Sequence, residues 1–126
     1  MCHRKWVLRT MSKLLIYIGE NEKFDLESTV ATILALEGVT HPRAGNFIGA
    51  IFECKYTKHG QSTIVRISPE LETITVEGLD DSSLEFAIEF QKHSPMQLRA
   101  IDMDYSFNVS LQNLSTISEF RRQIGS

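Results

Sequence analysis

The stretch 98–111, LRAIDMDYSFNVSL, constrains the fold more than any other part of the chain. From Ile101 onward its odd positions are large: Ile101, Met103, Tyr105, Phe107, Val109 and Leu111. Its even positions, Ala100, Asp102, Asp104, Ser106, Asn108 and Ser110, are small or polar. A strict period of two marks a β-strand with one buried and one wet face. At roughly 3.3 Å per residue the strand would run about 40 Å, so it is expected to bend or to change neighbours along its length. A wet face belongs to an antiparallel or mixed sheet, not to a parallel sheet covered on both sides.

The segments before it supply the rest of that sheet. The apolar run 14–18 (LLIYI) reads as an inner strand buried on both faces, closed by Gly19 and a polar turn. Asp25 then caps a helix whose apolar positions are Leu26, Val30, Ile33 and Leu34, with Gly38 at its end. Residues 40–46, with His41-Pro42 and Gly45, read as a loop. Strands are expected over 48–56 and 63–67, joined by a hairpin turn at 58–61 (KHGQ). Pro69 ends the second of them, and the β-branched stretch 72–77 adds a short extension.

A second helix opens at 80–83 (DDSS). Ser82 and Glu85 have capping-box spacing, and Leu84, Phe86, Ala87, Ile88 and Phe90 give a broad apolar surface. After the long strand, Asn113 or Ser115 caps a short C-terminal helix carrying Ile117, Phe120 and Ile124. The expected architecture is α+β: a two-layer sandwich with an antiparallel or mixed sheet of four to five strands. Two helices lie on one face in ferredoxin-like β-α-β-β-α-β order, followed by the short C-terminal helix. Residues 1–11 read as an N-terminal extension, disordered or tag-like, and 12–126 as a single domain.

Composition narrows the function classes. The net charge of −3 argues against general phosphate-backbone binding. An RNA-binding sheet would need exposed aromatics and bases where this one presents Asp102 and Asp104, so no nucleic-acid partner is expected. Cys2 and Cys54 form no C-x-x-C pair, and Cys54 sits on the apolar face of a strand. No apolar run approaches the roughly 18 residues of a membrane span and no signal-peptide core is present, so the expected location is cytoplasmic, with no membrane partner. No phosphate loop, nucleophile motif or metal-ligand spacing appears, and no cofactor, metal or catalytic residue is assigned. His41, His59 and His93 fall in a loop, a hairpin turn and a helix end.

Charge distribution is the more informative signal. Residues 1–68 carry +3 and residues 69–126 carry −6. Between Glu70 and Glu89 lie seven acids (Glu70, Glu72, Glu77, Asp80, Asp81, Glu85 and Glu89) and no Lys or Arg. Such a block steers a basic partner, or it serves only to solvate strand edges and a helix start. Asp102 and Asp104, two apart on one strand, either hold charge in the open for a cation or for acid–base work, or solvate a sheet face.

A small, acidic-leaning chain with these features resembles the immunity proteins that neutralise bacterial toxins. The resemblance is one of character over the whole chain, carried by the Glu70 to Glu89 block and by Asp102-Met103-Asp104-Tyr105. It implies a non-catalytic, cytoplasmic inhibitor that binds a basic toxin domain through an acidic surface. The contact residues it implies are Glu70, Glu72, Glu77, Asp80, Asp81, Asp102 and Asp104, with an aromatic anchor nearby. The alternatives are a ferredoxin-like small-ligand-binding or enzymatic domain, and a subunit that pairs through its sheet edge, as in a homodimer.

Overall fold

The computed structural model describes residues 13–47 and 49–124. The expected N-terminal extension and Ile48 lie outside the described residues. Among the described residues seven strands form one antiparallel sheet: β1 (Lys13–Tyr17), β2 (Val39–Phe47), β3 (Ala50–Lys58), β4 (Gln61–Ile67), β5 (Ile74–Glu77), β6 (Arg99–Asp102) and β7 (Asn108–Ser110). Their order across the sheet is β2-β3-β4-β5-β1-β6-β7. Helix α1 (Leu26–Leu34) follows β1, α2 (Asp81–Lys92) follows β5, and α3 (Ile117–Gln123) follows a 3-10 turn at Leu111–Asn113. The chain is therefore α+β, as expected, but the sheet has seven strands rather than four to five. Four strands, not two, lie between α1 and α2, so the expected β-α-β-β-α-β order is not what forms. Among the described residues no helix is long and apolar enough to cross a membrane.

Register aligns the core. Val109, Ala100, Ile16, Ile74, Ile67, Phe52 and Ala44 face one another in a row across all seven strands. The next row holds Asp102, Leu14, Val76, Val65 and Cys54. Nearly all of these side chains are buried in the same hydrophobic cluster as the apolar faces of the helices. Aromatic rings join the layers: Tyr56 of β3 meets Phe86 of α2 edge-on at 5.3 Å and Phe107 meets Phe120 of α3 edge-on at 6.4 Å, while Phe86 stacks on Phe90 within α2 at 5.7 Å. Each such fully buried side chain contributes roughly 1.5–3 kcal/mol. Because the helices share one cluster with this face, no helix among the described residues covers the opposite face of the sheet. The expectation that β1 is buried on both sides is corrected: Leu14 and Ile16 are buried, while Leu15 and Tyr17 are only half-buried.

The expected loop at 40–46 is strand β2. Two residues, His41 and Pro42, oppose the single Cys54, a β-bulge, and His41 takes the left-handed conformation (φ 54°). A second irregularity falls at Gly45 (φ 139°). Pro42 reads as a loop residue from sequence alone, but an edge strand tolerates it because its missing N–H need not face a neighbour. These bulges, and the three-residue length of β7 at the other edge, discourage pairing with a second copy. The stretch 72–77 is no extension of β4: its strand, β5, inserts between β4 and β1.

Helix ends follow side-chain chemistry. Asp25 caps α1 by accepting from Ser28 N at 2.9 Å, as expected, but the helix ends at Leu34, four residues short of Gly38. The Ser82–Glu85 capping box does not form, because Asp80 is the N-cap and Ser82 is buried inside α2. For α3 the cap is Thr116, which forms the capping box with Glu119.

The largest correction concerns 98–111. It is a hairpin rather than one long strand: β6 ends at Asp102 and β7 begins at Asn108. Ala100 pairs with Val109 and Ile101 with Asn108, so an even position faces an odd one. The buried set therefore switches from Leu98, Ala100 and Asp102 before the turn to Phe107, Val109 and Leu111 after it. Asp102 ends up buried (8 % exposed) on the helix side, whereas Met103, Asp104 and Tyr105 stand exposed in the turn.

Candidate functional site

The uncovered face of the sheet carries two different surfaces. Its central row reads Asn108, Ile101, Leu15, Thr75, Arg66, Glu53 and Arg43 from β7 to β2. On the β2–β5 side it is a ladder of alternating charge. Arg43 Nη2 donates to Glu53 at 3.3 Å, Arg66 Nε donates to Glu53 at 2.8 Å, and Arg66 Nη1 donates to Glu77 at 2.7 Å. Lys13 Nζ lies 3.8 Å from Glu77. The hydrogen bond from Arg66 holds the Glu53 carboxyl below the usual glutamate range, against the opposing effect of its partial burial. These charges satisfy one another within the sheet.

On the β1–β6–β7 side the face is apolar and concave. Strand alternation points Leu15 and Tyr17 of β1 away from the helices, beside Ile101 of β6. They form the floor of a groove of about 430 Å³ that opens to solvent. Its rim is built by loops. Gly19, Asn21 and Glu22 come from the segment leaving β1, Glu72 and Thr73 from the segment entering β5, and Tyr105 from the β6–β7 turn. Asn108 completes the lining and donates from Nδ2 to the Tyr17 hydroxyl at 3.0 Å. Arg99 Nε donates to Asn108 Oδ1 at 2.8 Å, which fixes the amide and so the Tyr17 ring.

Asp102, from the helix side, anchors the turn that carries Tyr105. Its carboxylate accepts from Ser106 N at 2.6 Å and from the Ser106 hydroxyl, and its carbonyl accepts from Tyr105 N at 3.1 Å. Tyr105 sits in the left-handed region (φ 56°) at the top of that turn, its side chain 76 % exposed beside the groove. A large aromatic held in the open over an apolar floor is the arrangement that interface anchors take.

The acids singled out from the sequence do not form one surface. Glu77 belongs to the charge ladder. Asp80 accepts from the Ser83 hydroxyl at 3.1 Å at the start of α2, and Asp81 pairs with Arg121 at 2.6 Å. Asp102 is buried in its turn, so the expectation that Asp102 and Asp104 project together from a wet sheet face is corrected. Glu70 is exposed in the β4–β5 connection, Glu72 lines the groove, and Asp104 is exposed in the same turn as Tyr105. Sequence reasoning missed Tyr17 and Glu22. The only signal was a tyrosine in an otherwise aliphatic strand, followed by an acid in its turn.

Other reactive groups stay apart. His93 Nδ1 lies 2.9 Å from the Glu89 carbonyl at the end of α2, and His59 Nε2 lies 3.8 Å from Glu85. Cys54 is buried, and that burial pushes its thiol up to about 12. Among the described residues no three His, Cys, Asp or Glu side chains are placed to hold a metal ion. A second, smaller hollow of about 210 Å³ lies between the end of α1 and α2, lined by Glu37, Lys58, Glu89 and His93 among others. No protein-family model, curated protein or solved structure matches the chain.

Proposed function

We propose that the chain is a non-catalytic, cytoplasmic binding protein: an immunity-type inhibitor that holds a basic bacterial toxin domain against the uncovered face of its sheet. The observation that carries this reading is the groove beside Tyr105, where fixed and exposed tyrosines meet an apolar floor and two rim carboxylates. Exposed acids beside it, Glu70 and Asp104, raise the association rate of a positively charged partner. The aromatic anchor and the floor slow dissociation. Inhibition follows from occupying the toxin's active site or its substrate groove.

The test is retrieval of a partner from the source cell, followed by co-expression. A stoichiometric complex is expected, with an association rate that falls at least about tenfold between low salt and roughly 0.5 M. Growth of cells producing the partner should be restored by the parent chain and not by Tyr105→Ala. A partner that binds but is not neutralised removes the inhibitor role and leaves the binding face. Failure to retrieve any partner, including products of neighbouring reading frames, removes the reading.

The groove volume favours a second reading, since small-molecule sites fall at roughly 300–1,000 Å³. On that reading a small ligand raises the melting temperature of the parent chain and not that of Tyr105→Ala.

A further inference from the structure

We infer that the groove beneath Tyr105 seats a single arginine side chain of the partner, with its guanidinium against the tyrosine and the rim carboxylates. The inference deepens the protein-binding reading above and rests on it for the source of that arginine.

Three features of the lining select this chemistry. The first is charge: among the described residues the lining contains two acids, Glu22 and Glu72, and no Lys, Arg or His. Arg99, which faces Tyr17 across the β1–β6 register, is turned onto Asn108. The charge ladder on the same face is neutralised internally by Arg66 and Lys13, whereas neither groove acid takes part in a side-chain ion pair among the described residues. Glu22 and Glu72 thus leave the groove lining itself acidic, with the nearby Arg99 guanidinium held on the Asn108 amide, and that lining complements a cation.

The second feature is the floor. Leu15 and Ile101 offer apolar surface between the polar rims. A small hydrated metal ion gains nothing there, but the methylene stem of a long basic side chain does. The third is the aromatic rim. Tyr105 is 76 % exposed, with its backbone pinned to Asp102. A guanidinium stacks on such a ring and presents a planar fork to carboxylates, which a lysine ammonium does not. Together these features favour arginine over lysine, and either over a neutral side chain.

The experiment uses the full chain, isotopically labelled, titrated with acetyl-Gly-Arg-Gly-amide and followed by amide chemical shifts. The matched probe replaces arginine by citrulline, which keeps the shape and loses the charge; a third probe carries lysine. The arginine peptide is expected to shift Tyr17, Asn21, Glu22, Thr73, Tyr105 and Asn108 with millimolar half-saturation, and to bind at least roughly fivefold more tightly than citrulline. The double variant Glu22→Gln/Glu72→Gln and the single variant Tyr105→Ala should each weaken it at least about threefold. All three positions are on exposed or rim segments, and the spectrum itself reports whether the sheet is intact. Equal binding of arginine and citrulline overturns the inference, as do shifts centred elsewhere or variants that bind like the parent. A retrieved toxin domain that binds parent and variants alike also overturns it, and leaves the protein-binding reading standing. Arginine-selective binding in the groove, with no basic partner retrieved, upholds the groove's specificity and removes the inhibitor reading.

Discussion

Asp102 and Ser106 close the β6–β7 turn: the buried carboxylate accepts from the Ser106 amide at 2.6 Å and from its hydroxyl. This contact lets the chain reverse between two strands whose sequence reads as one. It also sets the height of Tyr105 beside the groove.

Asp102→Ala should cost about 1–3 kcal/mol, because it removes both hydrogen bonds that the buried carboxylate accepts from Ser106. Ser106→Ala loses only the hydroxyl contact and should cost less. Denaturant unfolding of the two variants checks the order. Equal, negligible losses would show that strand pairing alone holds the turn.

Two glycines of similar backbone sign should respond very differently. At Gly38 (φ +102°) an added Cβ would lie 2.5 Å from the Thr57 carbonyl oxygen, and that strand cannot retreat because Thr57 N donates to the Gly38 carbonyl at 3.0 Å. At Gly60 (φ +76°), in the β3–β4 turn, an added Cβ meets nothing within 4 Å. Gly38→Ala should therefore cost at least about 2 kcal/mol, and Gly60→Ala about 1 kcal/mol from backbone conformation alone. Thermal unfolding of the pair separates crowding from backbone strain.

The charge ladder predicts a pH dependence of defined sign. Arg66 lowers the Glu53 carboxyl in the folded state, so the folded chain binds fewer protons there than the unfolded chain. The stabilisation is complete above the ordinary glutamate value of about 4.3 and is lost as pH falls below it, through the depressed folded value. Arg66→Met should be less stable than the parent at pH 7, by no more than about 1 kcal/mol per pair given partial exposure. That difference should shrink as pH falls below the ordinary glutamate value. A difference independent of pH would place the role of Arg66 in packing.

Tyr56 offers a test of polar burial. Its hydroxyl is buried without a hydrogen-bond partner among the described residues, and burial, with Glu85, Glu89 and Glu37 adding to it, holds the phenol well above its usual range. Tyr56→Phe removes that cost while keeping the ring against Phe86, so stability should be unchanged or rise by up to about 1 kcal/mol. A loss on equilibrium unfolding would reveal a bonding partner for the hydroxyl.

Much of the candidate site escaped the sequence for a specific reason. The groove joins residues from β1, two connecting segments, β6, a turn and β7, whose spacing along the chain carries no period. The Glu70 to Glu89 block stood out as one feature because its acids are near in sequence. Folding sends Glu72 to the groove, Glu77 to Arg66 and Asp81 to Arg121. Glu22, which joins Glu72 at the groove, lies fifty residues earlier.

By itself the sequence determined what short-range forces decide. The Asp25 cap, the His59-Gly60 turn with both residues at positive φ, the alternation of Thr63, Val65 and Ile67, and the apolar side of α2 were all legible, because each depends on neighbours within a few residues. Only tertiary structure decided the register and order of strands. The alternation from Ile101 to Leu111 reads as one face, but pairing Ala100 with Val109 inverts its meaning halfway along. Likewise Pro42 marks a loop until the bulge opposite Cys54 makes it an edge-strand residue. Period and capping are properties of a segment. Which face is buried, and which residues meet across the sheet, depends on hydrogen bonds to strands elsewhere in the chain.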